Sequence, residues 1–147
     1  MSPSPKLARE KVIESHCMEV ARIHGIYLQK IHSGAVFVKA GPATYKMKLA
    51  DQGTPDLMCC VRGRFVGVEV KDSPETVAEW ERCWDKYLAS GNDDDGRTLK
   101  KSWERSVFQH MQHDLIRKAG GEIIVCSSAE EFLEDIKTLL NQYDAKK

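Results

Sequence analysis

The sequence predicts an α/β protein with a mixed central sheet. Residues 57–61 and 64–70 are runs of apolar and β-branched residues on either side of a turn, and residues 122–126 form a third run. Segments with helical periodicity stand before, between and after these runs. Helices and strands in this order predict a sheet covered by helices. A chain of 147 residues has enough apolar residues for one domain with a single core, here residues 1–147.

The first part of the chain alternates a helix with short strands. Residues 6–24 repeat apolar side chains at helical spacing, and Gly25 ends that helix. Strands are predicted at 26–31 and 35–39. Gly41 and Pro42 break the pattern, so residues 42–52 are predicted to form a loop over the substrate.

The two central strands form a predicted hairpin with chemistry on one face. If Arg62 and Gly63 make the turn, antiparallel pairing places Asp56 opposite Glu69. Lys71 returns to the same face two residues later, while the valines of the second strand face the other side. A shift of one residue in register would separate the carboxylates, and the side chains would then be ordinary surface charges.

Opposed carboxylates on a sheet favour a cation between them. Like charges directly across a ladder are destabilising, and Mg²⁺ or Mn²⁺ prefers carboxylate, carbonyl and water oxygens. Asp56, Glu69 and the carbonyl of Val70 are therefore predicted to bind the metal. Lys71 is predicted to position a water molecule or to stabilise charge on a phosphate.

These motifs resemble a known family. The sequence GTPD at 53–56, EVK at 69–71, an acid in the first helix and Gln109 eleven residues before Gly120 resemble the virus-type replication-repair nuclease (VRR-NUC) branch of the PD-(D/E)XK superfamily. The resemblance extends from residue 10 to about residue 135. It implies a restriction-endonuclease-like α/β/α sandwich and a Mg²⁺- or Mn²⁺-dependent DNA endonuclease. It further implies branched substrates such as four-way (Holliday) junctions, a homodimer, a role in DNA repair and a phage or prophage origin.

The family spacing also assigns two further residues. It favours Glu14, eleven residues before Gly25, as the helix acid that completes the metal site, although Glu10 lies one turn earlier on nearly the same face. It favours Gln109 over Gln112 as the glutamine that orients Lys71, the water or a phosphate.

Residues 72–108 exceed the span found in compact members of that branch. Ser73 and Pro74 predict the start of a first helix. A second helix is predicted to carry an apolar stripe composed of Leu99, Trp103, Val107, Met111 and Leu115. The acidic sequence GNDDDG at 91–96 separates the two. The tryptophans of this helical insertion, about 73–108, are interpreted as core or as a dimer interface.

A strand at 122–126 and a final helix complete the predicted order. The helix opens with a capping box from Ser128 to Glu131. Its buried stripe is predicted to consist of Phe132, Ile136, Leu139, Leu140 and Tyr143.

Charge distribution predicts a nucleic-acid surface. The chain has zero net charge, but residues 20–50 contain no Asp or Glu and lead directly into the GTPD motif. The lysines predicted to contact DNA phosphates are Lys30, Lys39, Lys46 and Lys48.

Two other functions are open from the sequence, and the predicted location is the cytoplasm of a bacterial or phage-infected cell. No apolar run has the roughly 18 residues of a membrane helix, and the five cysteines show no C-x-x-C spacing. The alternatives are a flap, end-directed or nicking nuclease of the same fold, and a DNA-binding module without catalysis.

Overall fold

The computed structural model describes residues 4–90 and 99–146 and has the predicted α/β architecture. Its helices and strands, in chain order, are α1 (Pro5–Ile23), β1 (Tyr27–Lys30), β2 (Ala35–Ala40), β3 (Ala43–Lys48), β4 (Leu57–Val61), β5 (Arg64–Val70), α2 (Pro74–Ala89), α3 (Glu104–Lys118), β6 (Glu122–Cys126) and α4 (Ala129–Ala145). A short 3₁₀ turn at Lys101–Trp103 leads into α3.

The main sheet is mixed, as predicted. Its four strands have the order β1-β4-β5-β6. β4 pairs antiparallel with both β1 and β5, whereas β5 and β6 are parallel. A parallel pair requires a long crossover, and α2 and α3 lie in that connection.

The register of the β4–β5 hairpin is confirmed. Val61 pairs with Arg64, and Leu57 pairs with Val68. The turn residues Arg62 and Gly63 both have positive φ, 51° and 79°. That combination is typical of a type I′ turn, whose twist matches the strands and fixes the pairing.

One face of this sheet is the apolar core. Val66, Val68 and Val70 are buried, and α1 and α4 pack against their side. Phe132 and Ile136 of α4 fill this core as predicted, with Leu139 and Tyr143 also buried. Cys17, Cys59 and Cys126 are buried thiols, whereas Cys60 is exposed.

Residues 42–52 are not a loop over the substrate, contrary to the prediction. β3 occupies Ala43–Lys48 and pairs with β2 in a separate two-stranded sheet. Gly41 and Pro42 are the two-residue loop of this hairpin, because Ala40 pairs with Ala43. Gly41 has a φ of 63°, so the glycine that interrupts the sequence pattern turns the chain instead of ending the strands.

The helical insertion begins as predicted but continues differently. Ser73 caps α2 by accepting a hydrogen bond from the Thr76 N–H at 3.2 Å. The acidic sequence at 91–96 lies outside the described residues, and Leu99 precedes α3 instead of lying in it. Met111 and Leu115 are exposed, so the predicted apolar stripe is wrong. α3 instead buries a largely polar face, composed of Val107, Gln109, His110 and His113.

Trp80 supports the interpretation of the tryptophans as core. It is buried, and its ring stacks on His110 with 3.6 Å between centroids. Trp84 also stacks on the His110 ring, and it stacks on Tyr87 as well.

Within residues 4–90 and 99–146, none of the helices combines the length and apolarity that crossing a membrane would need.

Candidate active site

Two carboxyl groups meet where β4 begins and β5 ends. Asp56 Oδ2 accepts a hydrogen bond from the Val70 N–H at 2.9 Å, and the Asp56 and Glu69 carboxyls lie close enough to shift each other's pKa. Burial, and then the Glu69 carboxyl beside it, raise the pKa of Asp56 to about 8. Burial also raises the pKa of Glu69, which is fully buried. Two adjacent buried carboxyls disfavour each other's ionised form, so the pair favours one bound proton when no cation neutralises it.

Lys71 lies beside this pair and is anchored by the predicted glutamine. Its Nζ donates to Gln109 Oε1 at 2.9 Å, and Trp80 Nε1 donates to the same oxygen at 2.8 Å. The Nζ also lies 5.1 Å from the centroid of the Trp80 ring. Burial lowers the pKa of Lys71, which is 5% exposed. Gln109, and not Gln112, is therefore the glutamine that contacts Lys71.

The face of α3 that carries Gln109 holds two further residues that sequence reasoning missed, one exposed and one buried. Arg105 and His113 lie one turn before and one turn after Gln109, so all three share a face. His113 Nε2 is 3.2 Å from Glu69 Oε1 in the protein interior. Burial lowers the pKa of His113 to about 4, and in its Nε2–H tautomer the neutral ring donates to Glu69 Oε1. The spacing of four residues on either side of Gln109 is the sequence pattern that identifies both.

The structure brings Glu10, and not Glu14, to the cluster. Glu10 is only 6% exposed, and Arg105 Nη2 lies 3.9 Å from its Oε2. Burial raises the pKa of Glu10, whereas the nearby charges of Arg105 and Lys71 lower it. Glu14 is instead paired with Lys30 at 2.5 Å. The predicted position of Glu14 at this cluster is therefore corrected to Glu10, because Glu14 lies one turn further along α1, beside Lys30. A metal-binding role for Glu10 stays a prediction.

A cleft of about 340 Å³ opens beside Lys71, Glu10 and Gln109. Its walls come largely from α2 and α3. Basic side chains outnumber the acids Glu10 and Glu79 in its lining and comprise Lys6, Lys71, Arg82, Lys86 and Arg105. Such a surface attracts phosphate groups.

The predicted DNA-contacting lysines are not part of this cleft lining. Lys30 and Lys48 have carboxylate partners, Glu14 and Asp51. Lys39 and Lys46 lie on the exposed β2–β3 hairpin. Three of the five basic residues that line the cleft, Arg82, Lys86 and Arg105, therefore come from the helical insertion and not from residues 20–50.

The donors at the carboxyl pair fit a hard divalent cation. Glu69 Oε2 is buried and has no hydrogen-bond partner among the described residues. No group of three or more His, Cys, Asp and Glu side chains is arranged as a metal site in residues 4–90 and 99–146. Mg²⁺ is commonly held by one or two carboxylates, with carbonyl, water and phosphate oxygens completing the shell. The Val70 carbonyl as a further ligand remains a prediction.

The GTPD motif joins the carboxyl pair to α3. Gly53 has a φ of 91°, and a Cβ added there would lie 2.4 Å from the carbonyl oxygen of Phe108 and 2.8 Å from the amide nitrogen of Gln109. Only glycine permits this approach. Pro55 packs against Gly67 of β5 in a similarly close contact. The loop that carries Asp56 is thus held directly against the backbone that carries Gln109.

Comparisons with known proteins give no relative for this chain. No family model, no curated protein and no solved structure matches it. The functional argument therefore rests on the geometry of the cluster and on the residues that build it.

Asp56→Asn is expected to stabilise the metal-free protein at high pH. The raised pKa of Asp56 means that folding favours the protonated form, so its contribution is fully present below about pH 4 and is lost as pH rises toward about 8. Asparagine keeps an acceptor for the Val70 N–H without ionising. The difference in Tm between variant and wild type should grow from near zero at pH 4 to at least about 2–4 °C at pH 8, roughly 1 kcal/mol.

Thermal unfolding in EDTA across this pH range measures that difference. Comparison with the wild type at each pH removes the opposite contribution of His110 and His113, whose lowered pKa values destabilise the fold in acid. A Tm difference that does not change between pH 4 and pH 8 would show that Asp56 ionises normally in the fold.

Proposed function

We propose that this protein is a Mg²⁺- or Mn²⁺-dependent DNA endonuclease with a restriction-endonuclease-like α/β/α sandwich. The observation that carries the proposal is the buried Asp56–Glu69 pair with Lys71 beside it, at the edge of a basic cleft. Burial raises the pKa of both carboxyls, and Glu69 Oε2 has no hydrogen-bond partner among the described residues. A divalent cation between the two carboxylates would neutralise their charge and provide that oxygen with a partner.

The packing of helices on the sheet supports the sandwich. α1 and α4 cover the valine face, and α3 contacts the face of Glu69 through His113. Helices on both faces of a mixed sheet form three layers. The resemblance described for the GTPD and EVK motifs leads to the same architecture.

Asp56, Glu69 and the Val70 carbonyl are the residues that would hold the metal. When bound, the cation supplies Lewis acidity toward the phosphodiester and lowers the pKa of water. His113 donates to Glu69 Oε1 and so holds the carboxylate in place, while Oε2 has no hydrogen-bond partner among the described residues and would bind the metal. Each of these contacts limits the movement of the carboxylates before substrate binds.

Lys71 is the cation that would act on the reacting phosphate. Gln109 and Trp80 hold its position, so its Nζ is fixed near the two carboxyls and the cleft. From there the ammonium group stabilises negative charge that develops on phosphate oxygens or orients the attacking water. Arg105 adds a second positive charge in the same lining.

A cleavage assay tests the proposal. Purified protein is incubated with labelled four-way junction, flap, nicked and linear DNA in Mg²⁺, Mn²⁺ or EDTA. We expect cleavage with either metal, none in EDTA, the fastest cleavage on branched DNA, and none by Asp56→Ala. DNA binding without cleavage of any substrate would favour the non-catalytic module, and preference for flaps, ends or single nicks would favour the other nucleases.

The symmetric substrate also implies two active sites. We propose a homodimer, because paired incisions across a four-way junction need two linked sites. Sedimentation of the free protein and of its junction complex measures the number of chains.

Glu10→Gln is expected to slow cleavage by about tenfold or more, whereas Glu14→Gln changes it less than about threefold. The reason is position, since Glu10 lies among Arg105, Lys71 and Asp56 and Glu14 pairs with Lys30 outside the cluster. The two variants make the same chemical change one helical turn apart, so each controls for the other. Initial rates on the best substrate check this, and a larger loss for Glu14→Gln would restore the assignment made from family spacing.

A further inference from the structure

The β2–β3 hairpin has two chemically different faces. Its register pairs Val36 with Met47 and Val38 with Tyr45, which places these apolar side chains on one face. The alternate pairs join Phe37 to Lys46 and Lys39 to Thr44, and Ala35 to Lys48. The second face is therefore basic, with one aromatic ring among its lysines.

Phe37 is the most exposed large apolar residue of the described chain, with 73% of its surface accessible. A two-stranded hairpin alone is at best marginally stable in water, and an exposed aromatic ring contributes nothing to its core. Phe37 instead lies opposite Lys46 in a position that suits contact with a flat, negatively charged partner.

The hairpin begins beside the carboxyl pair. The Ile31 N–H donates to the carbonyl of Asp56 at 2.9 Å, and Ser33 bridges to Ala50 at the hairpin base. Six residues in each strand extend about 20 Å from this base. A nucleic acid whose phosphate lies at Asp56 is thus within reach of the basic face.

We propose that the β2–β3 hairpin is a nucleic-acid-binding arm that stacks Phe37 on an unpaired or unstacked base while Lys39 and Lys46 contact the backbone. This inference rests on the proposed function and specifies its substrate as DNA in which base stacking is interrupted near the cleaved strand. Aromatic rings stack on any exposed base, and lysines supply the charge that follows the phosphates.

The charge of this face favours DNA over a second copy of the chain. Two lysine faces brought together by a symmetry axis would repel each other, whereas a phosphate backbone complements them. In continuous duplex the bases are stacked, and opening a base step costs free energy. A gap, flap or branch point offers a base without that cost.

Binding in EDTA tests the arm without cleavage. Two labelled DNAs of equal length are compared, one continuous duplex and one with a short single-stranded gap that carries 2-aminopurine. Phe37→Ala should bind the gapped DNA about tenfold more weakly, because it loses the stacking contact with one base. It should bind the continuous duplex less than about threefold more weakly. Phe37→Trp should restore binding and quench the 2-aminopurine fluorescence.

The opposite face supplies the matched control. Tyr45 is also an exposed aromatic residue of the same hairpin, and Tyr45→Ala should leave both affinities unchanged. The double variant Lys39→Ala/Lys46→Ala should weaken binding to both DNAs and reduce the salt dependence, by about one to two units of slope. Circular dichroism and Tm of each variant verify folding, since these side chains are exposed.

Equal affinity of wild type and Phe37→Ala for gapped DNA would overturn the inference. So would a change from dimer to monomer in Phe37→Ala, which would make this face an interface between copies. The outcome is independent of catalysis, because DNA binding in EDTA that depends on Phe37 would support the arm even if no DNA were cut with Mg²⁺ or Mn²⁺. Cleavage that depends on Asp56 with no contribution from Phe37 would support the nuclease and reject the arm.

Discussion

Lys71→Met is expected to lower the rate of metal-dependent DNA cleavage by about 10²–10³-fold, the usual cost of removing one preorganised stabilising group. Methionine matches the lysine side chain except for the terminal nitrogen and can occupy the space beside the Trp80 ring. It removes the positive charge near Asp56 and Glu69 and the hydrogen bond to Gln109. The fold should persist, since burial already disfavours the charged ammonium group.

Single-turnover rates with excess protein isolate the chemical step, and DNA binding in Ca²⁺ measures affinity separately. We expect the rate to fall far more than the affinity. Lys137→Met, on the exposed side of α4, is the matched control and should cleave at the wild-type rate. A Lys71→Met rate within about threefold of wild type would exclude a role for this ammonium group in the reaction.

Gly53→Ala is expected to lower Tm by roughly 5–15 °C and to slow cleavage together with it. Two costs combine at this position. The φ of 91° strains any residue with a Cβ, by roughly 1–2 kcal/mol, and the new methyl group would lie 2.4 Å from the Phe108 carbonyl oxygen. Relief of that clash must move either the loop before Asp56 or the part of α3 that carries Gln109.

Gly120→Ala separates these two costs. Gly120 has a similar φ of 94°, but no heavy atom lies within 4 Å of a Cβ added there. Its Tm should fall by the strain alone, roughly 2–8 °C, with cleavage retained at temperatures where it is folded. Equal effects of the two substitutions on Tm and cleavage would mean that the contact between Gly53 and α3 is unimportant.

The shared face of Glu69 and Lys71 on the β4–β5 hairpin was predictable because it follows from the number of residues between the turn and each side chain. Two turn residues fix the register, and strict alternation along β5 then determines that Glu69 and Lys71 share a face away from the valines. The mixed sheet was predictable for a similar reason, since a helical segment between two strands indicates a crossover. Neither inference requires knowledge of distant contacts.

The remainder of the site depends on tertiary packing. Helical phase leaves Glu10 and Glu14 on nearly the same face, and only the position of α1 along its axis separates them. α3 misled the sequence analysis because hydrophobic periodicity assumes that apolar residues face inward. Here the interior position is taken by Gln109 and His113, which bind Lys71 and Glu69, while Leu115 faces solvent.

The β2–β3 hairpin was missed in part because its turn resembles a strand terminator. A Gly-Pro pair commonly ends a strand, and the alternation in residues 43–48 is shared between lysines and apolar residues. Neither face of such a strand is buried, so burial gives no pattern to detect. Pairing with β2 is what organises this segment.

Because β5 pairs parallel with β6, the connection between them can change without a change in the paired strands. The chain must leave the sheet after Lys71 and return at Glu122, and any connection longer than about a dozen residues satisfies that requirement. Glu69 belongs to β5 and Asp56 directly precedes β4, whereas Arg82, Lys86 and Arg105 belong to the connection between β5 and β6. For the proposed nuclease, exchange of the segment between those two points, with Trp80, Gln109 and His113 kept in place, is therefore expected to alter DNA preference while the groups around Lys71 are retained.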